Sequence, residues 1–159
     1  DLRQQKFDLA KLTHVTNMPL KSLLSSKLAE AFDKGIHCHV EVEEGVFFTD
    51  MRVLDLITIT SILCDNAIEA AVLSETPKLS IAIFKMEGQS VIAVENSTKE
   101  ASIDIAPLKQ RGFSTKGTGR GLGLANIEEI LFRYDNVSLE TESAQHRFVQ
   151  LLSVTPKQD

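Results

Sequence analysis

From Gly112 to Gly123 the chain reads Gly112-Phe113-Ser114-Thr115-Lys116-Gly117-Thr118-Gly119-Arg120-Gly121-Leu122-Gly123, a stretch that holds five of its eight glycines. Between Ile105 and Ile127 there is no Asp or Glu, yet Lys109, Arg111, Lys116 and Arg120 all fall there, in a chain whose net charge is −5. A basic, glycine-spaced segment in an acidic protein suits an anion. Glycine lets backbone N–H groups approach an oxyanion closely and permits φ > 0, and successive N–H groups form an anion-binding concavity. Apolar spacing predicts a helix over residues 122–132, so the segment leads into a helix N-terminus, which also favours phosphate. Two familiar phosphate loops are excluded. Gly117 is followed by Thr118-Gly119 rather than by Lys-Ser/Thr, and Gly119-x-Gly121 runs into Leu124 instead of a third glycine; neither pattern follows a strand, as both require. A surface loop that is merely rich in glycine stays open as the alternative.

A second group of chemically capable residues lies upstream. Asp50 reads as an N-cap, and a helix is predicted from Met51 to about Leu73, with Val53, Leu56, Ile57, Ile59, Leu63, Ala67 and Ala70 on its core face. Inside it stand Asp65 and Asn66, both poor helix formers. Asn66 and Glu69 share a face at i, i+3. An amide oxygen is a hard ligand suited to Mg²⁺, an ion that also keeps waters and takes substrate phosphates. Taken alone, this element favours the simpler reading, in which Asp65 and Asn66 point to solvent.

Together the two elements carry a resemblance. Cys64-Asp65-Asn66-Ala67-Ile68-Glu69-Ala70, then Phe113-Ser114-Thr115-Lys116, then Gly117-Thr118-Gly119-Arg120-Gly121-Leu122-Gly123-Leu124 resemble the N, F and G2 boxes of the ATP-binding catalytic domain of sensor histidine kinases, the GHKL or Bergerat type. The wording is most similar to the peptide-pheromone quorum-sensing receptors of Gram-positive bacteria. The resemblance spans about residues 17–156 and implies a two-layer α/β sandwich, with a mixed, mostly antiparallel five-stranded sheet and three main helices on one face. It implies ATP and Mg²⁺ as ligands, with Asn66 on the metal. Ser114, Thr115, Lys116, Gly117, Gly119, Arg120, Gly121, Leu122 and Gly123 would surround the phosphates, beneath a lid from about Thr98 to Arg120 that orders on nucleotide. The γ-phosphoryl group would pass to a His outside this chain, and no catalytic residue is assigned within it. The implied partners are the dimerisation and phosphoacceptor domain of the same kinase and a cognate response regulator. The whole protein would be a membrane-bound homodimeric receptor with this domain in the cytoplasm.

The chain also departs from the pattern. Ordinary histidine kinases carry Asp-x-Gly-x-Gly after the strand that follows the N box; here that strand leads into Glu95-Asn96-Ser97-Thr98. Asn96 is the positional match for the adenine-reading Asp, and its amide oxygen accepts a hydrogen bond without bearing charge. Glu69 stands where many kinases place a basic residue. Ile62 stands where hydrolysing relatives place a Glu, so strong ATP hydrolysis is not expected. The rival reading keeps the fold as an interaction or phosphatase-assisting module with weak or lost ATP use.

The remaining residues bound the answer. With 159 residues, 43% of them hydrophobic, the chain suffices for one substantial core. Residues 1–16 are read as the end of a dimerisation-domain helix and its linker, and residues 17–156 as the catalytic domain. The acidic balance argues against nucleic-acid binding. No apolar run approaches the ~20 residues of a membrane span. Cys38 and Cys64 are read as reduced thiols. A second helix is predicted from Pro19 to about Lys34, closed by Gly35. Strands are predicted at 36–42, 78–86, 89–95, 137–142 and 147–154, with hairpin turns at Glu87-Gly88 and Ser143-Ala144. His37 and His39 flank Cys38 on a strand, so the two imidazoles face away from the thiol and the three do not converge on one ion. His146 is assigned to a strand and His14 to the terminal helix, so none is read as the phosphoacceptor.

Overall fold

The computed structural model describes residues 9–103 and 118–158, and the side chains of its last helix from residue 123 onward. After a short 3-10 turn at Leu12–His14 come α1 (Met18–Asp33), β1 (His37–Val42), α2 (Val53–Val72), β2 (Lys78–Met86), β3 (Gln89–Ser97), α3 (Thr118–Phe132), β4 (Val137–Ala144) and β5 (Arg147–Val154). The five strands form one sheet in the order β1-β2-β3-β5-β4. β1 and β2 run parallel, and every other neighbouring pair is antiparallel. With the helices packed on the sheet, this is the α/β sandwich that the sequence implies.

Local chemistry explains the helix boundaries. The Asn17 side chain accepts from the Leu20 N–H at 3.0 Å, and Pro19 sits in the first turn of α1, where its missing donor costs nothing. Gly35, at φ 79°, ends the helix as expected. Leu20, Leu24, Leu28 and Ala31 form the buried stripe of α1. Leu12 and Val15 are buried in the same core, so the segment before Asn17 packs on the sandwich too.

Two sequence expectations need correction. α2 starts at Val53, not Met51, and Asp50 is not its cap. Asp50 instead occupies a left-handed turn at φ 64°, where its carboxylate accepts from the Lys157 N–H and its carbonyl from Asn136. Val53 is consequently outside the core, whereas Leu56, Ile59, Leu63 and Ala67 are buried as read. β4 continues through Ala144, and the turn into β5 falls on Gln145 and His146, both at positive φ. His146 therefore lies on a turn rather than a strand. The Glu87-Gly88 turn stands where it was read.

The helix-facing surface of the sheet consists of cross-strand rows. One row is Val42, Ile83, Ile92, Leu152, Leu139. The next is Val40, Ile81, Val94, Gln150, Thr141, and a third is Cys38, Leu79, Asn96, Phe148, Ser143. The rows are apolar at their β1–β2 end, where Val40, Leu79 and Ile81 are fully buried. Polar residues enter only toward β3, β5 and β4.

Candidate nucleotide site

α2 crosses the sheet above β3 and packs against both α1 and α3. Of the polar residues around the middle of α2, Asn66 is buried, Asp65 is half-exposed and Glu69 is exposed. Asp65 receives the Lys27 ammonium of α1 at 2.6 Å. Burial alone would lower the Lys27 pKa, but the hydrogen bond and charge of Asp65, with Glu30 adding to them, outweigh it and hold the group above its ordinary value. Cys64, fully buried beside this pair, has its thiol pushed up to about 12, chiefly by burial, so it is no nucleophile at neutral pH. The next residue, Asn66, is buried on the sheet side of the helix at 9% exposure.

A second polar staple fixes the far end of α2. Asp55 is buried, accepts from the Tyr134 hydroxyl, and takes Arg133 at 3.3 Å. Burial, and then the bond to Asp55, raise the Tyr134 pKa. The segment after α3 is thereby tied to the start of α2.

Between α2, α3 and the polar corner of the sheet lies a cavity of about 300 Å³. Asn66 and Ala70 reach it from α2, Asn96 and Thr98 from the end of β3, and Thr141, Phe148 and Gln150 from β4 and β5. Leu124, Ile127, Glu128 and Leu131 of α3 close it opposite the sheet. An apolar cleft with a few converging polar groups is the usual form of a small-molecule site. Asn96 is 3% exposed and donates its amide nitrogen to the Ser97 carbonyl at 3.0 Å. Its amide oxygen remains as an acceptor for a ligand's N–H.

The structure thus brings together Asn66 and Asn96, two of the residues singled out from sequence. Ser114, Thr115, Lys116 and Gly117 lie outside the described residues. Gly119, Arg120, Gly121, Leu122 and Gly123 belong to α3, which begins at Thr118 rather than Leu122 although each glycine lowers helix propensity. The first amides of a helix lack intrahelical partners, so those early positions retain donors. Gly123 sits deeper, where a Cβ would stand 3.2 Å from Ile62 Cγ2 of α2. What the structure shows for Gly123 is close helix packing. The lid reading also shifts at its start. Thr98 is buried and bonds to the His146 carbonyl at 2.9 Å, the Ala101 carbonyl takes the His146 N–H at 2.8 Å, and the Ile103 N–H donates to Ser143 at 2.8 Å. Residues 98–103 are anchored to the β4–β5 turn; residues 104–117 lie outside the described residues.

Gln150 and Thr141 were missed. The signal was present: in Phe148-x-Gln150-x-Leu152-x-Val154 every second residue faces the helices, and a Gln interrupts the apolar series. His37 and His39 point outward from β1, opposite Cys38, and His39 lies 3.1 Å from Glu41. Among the described residues no cluster of three or more His, Cys, Asp or Glu side chains is suited to a metal. An Asn-and-water Mg²⁺ site needs no such cluster. The chemistry of Asn66 fits a hard cation beside phosphates. Among the described residues no helix is long and apolar enough to cross a membrane.

Residues 51–155 match the profile of the GHKL domain. The chain belongs to that family. The GHKL domain is 26% identical over 119 residues to the sensor protein CitS of Bacillus subtilis (strain 168), a match that covers 73% of this chain and 22% of that protein. It therefore spans about a fifth of the length of this curated relative. Among solved structures, the catalytic domain of histidine kinase ThkA superposes with a TM-score of 0.70 at 22% identity, over 87% of this chain and 93% of that one. The mycobacterial sensor histidine kinase MprB gives 0.64 at 14% identity, over 86% and 95%. ThkA in complex with the response regulator TrrA gives 0.68 at 20% identity, over 89% and 40%. At these identities the likeness is one of fold: the GHKL domain has the architecture of a histidine kinase catalytic domain.

Proposed function

We propose that this GHKL domain is the ATP-binding catalytic domain of a sensor histidine kinase, which presents the γ-phosphoryl group of Mg-ATP to a His outside this chain. The observation that carries the proposal is the meeting of Asn66 and Asn96, from two distant stretches of sequence, on one cavity between α2, α3 and the sheet. Family membership and fold support it. When bound, Mg²⁺ would supply charge neutralisation at the phosphates. Asn66 would offer its amide oxygen to the metal, and Asn96 would accept from the adenine amino group. The first amides of α3, with Lys116 and Arg120, would face the phosphates. Phosphoryl transfer asks little covalent chemistry of a protein and consists mainly of positioning and charge stabilisation, which suits a cavity lined mainly by amide, hydroxyl and apolar groups.

The finer assignment, also a proposal, is to the peptide-pheromone quorum-sensing receptors. It rests on the wording of the N, F and G2 boxes and on Asn96 in place of an acidic residue. In that setting the whole protein is a membrane-bound homodimer, residues 1–16 continue from the dimerisation helix, this domain is cytoplasmic, and the partners are the phosphoacceptor domain and a response regulator. Titration of the purified domain with ATP, with and without Mg²⁺, tests the nucleotide reading. Micromolar to millimolar affinity that strengthens with Mg²⁺ is the expected result. No heat at millimolar Mg-ATP would favour instead a fold kept for interaction or for assisting a phosphatase, a reading to which the uncharged Asn96 lends weight.

A further inference from the structure

The base-reading corner of the cavity is made of neutral groups. Asn96 is the penultimate residue of β3, and Gln150 lies on the adjacent strand β5, one cross-strand row further in. Diagonal neighbours of this kind are roughly 7–8 Å apart, a span that the edge of one purine ring can bridge. Both amides are nearly shut off from solvent, at 3% and 6% exposure, and both line the cavity together with Thr98 and Thr141. Gln150 is paired across the strands with Val94 on β3 and Thr141 on β4, and the row continues through the aliphatic Ile81 and Val40. A buried amide among aliphatic neighbours is costly unless its hydrogen bonds are met. In the structure Gln150 has one long bond, from its amide nitrogen to the Thr141 hydroxyl at 3.4 Å.

We infer that Gln150 is a base-reading residue, and that with Asn96 it makes the site permissive for purine nucleotides in general rather than strict for adenine. This inference rests on the proposed nucleotide-binding function. A carboxylate only accepts hydrogen bonds: it rewards the adenine amino group and repels the guanine O6. A primary amide offers both an acceptor and two donors. Asn96 uses one N–H on the Ser97 carbonyl, which leaves its oxygen and its second hydrogen for the ligand. Gln150, whose side chain among the described residues is held by one long bond to Thr141, can present either end of its amide. Adenine N6 then meets an amide oxygen, and guanine O6 meets an amide N–H, so neither base leaves a buried group unpaired. A site built to hydrogen-bond one group rejects analogues strongly only when its own polar groups are stranded by them.

The test is calorimetric titration of the same purified protein with Mg-ATP and Mg-GTP, in the wild type, Asn96→Asp and Gln150→Leu. The expected wild-type affinities for the two nucleotides lie within about tenfold of each other. Asn96→Asp should widen the preference for ATP at least tenfold by excluding O6, and Gln150→Leu should weaken both nucleotides while the circular dichroism stays native. A wild type that binds ATP and rejects GTP by a hundredfold or more overturns the inference and leaves the proposed function standing. A Gln150→Leu protein that is folded and binds both nucleotides like the wild type removes Gln150 from the site. If the folded wild type binds neither nucleotide, the proposed function fails and the inference falls with it.

Discussion

The two ends of the helix-facing sheet surface are built to opposite rules. At the β1–β2 end, Val40, Leu79 and Ile81 lie beneath α1 and α2 with no polar atom among their side chains. At the β3–β5–β4 end the same rows carry Asn96, Gln150 and Thr141, and the space above these three is a cavity. The first end gains from burial at about 25 cal/mol per Å² of apolar surface. The second forgoes that gain and holds groups able to recognise a ligand. One continuous surface thus divides stability and recognition between its ends, and substitutions should separate the two.

The largest expected effect comes from the apolar end. Ile81→Ala should cost about 2–5 kcal/mol of stability by leaving a void among fully buried neighbours. Its nucleotide affinity, measured where the protein is still folded, should match the wild type. A loss of affinity in that folded variant would erase the division. Next comes Asn66→Ala, which should remove most of the Mg²⁺-dependent part of ATP affinity with little change in the melting curve. An unaltered Mg²⁺ dependence would reject Asn66 as the metal's ligand, and unfolding would show it to be structural.

A smaller effect is expected where α2 meets α3. Gly123→Ala places a Cβ 3.2 Å from Ile62, and the contact strain should cost it most of the roughly 1 kcal/mol that Ala ordinarily gains over Gly within a helix, leaving the melting temperature within a few degrees of the wild type. Ile62→Val should restore part of that gain in a double-mutant cycle; additivity of the two changes would show that they do not touch. The smallest effect concerns pH. Lys27 and Tyr134 both have folded-state pKa values raised above their ordinary values. The stability each contributes is complete below the unfolded pKa, about 10 for both residue types, and is lost as pH rises through the folded value. Denaturant midpoints should hold steady through neutral pH and fall only in the alkaline range. Lys27→Met should flatten that fall. Cys64, in turn, should resist alkylation at pH 8 until the protein is unfolded.

Much of this division was legible in the chain, because it follows from alternation and helical spacing. The strands, the two main helices before the glycine run, and the placing of Asn66 and Asn96 near one another all follow from local patterns joined to the family's boxes. What was not legible depended on distant partners. Asp50 has the composition of a cap, yet the Lys157 N–H, 107 positions away, claims its carboxylate. Gln145 and His146 adopt positive φ without being the Gly or Asn that a hairpin turn ordinarily uses. The glycines from 119 to 123 disfavour a helix by propensity, and α3 forms over them nonetheless, with Gly123 fitted against Ile62. Gln150 was visible as a break in an alternating strand, but only the sheet register shows it sharing a corner with Asn96.

Among the described residues β1 and β4 form the outer margins of the sheet, with Ser102 and Ile103 bonded to Ser143 near the end of β4. Each margin is a row of backbone donors and acceptors on which a second copy could add a strand. Along β4 the outward side chains include Glu140 and Glu142, both exposed, and along β1 they include Glu41 beside His39. Two copies meeting at their β4 margins would bring carboxylates together at the moment of backbone pairing, and like charges facing one another across strands oppose it. The carboxylates of β4 thus oppose the pairing that the bare backbone of that strand would otherwise invite.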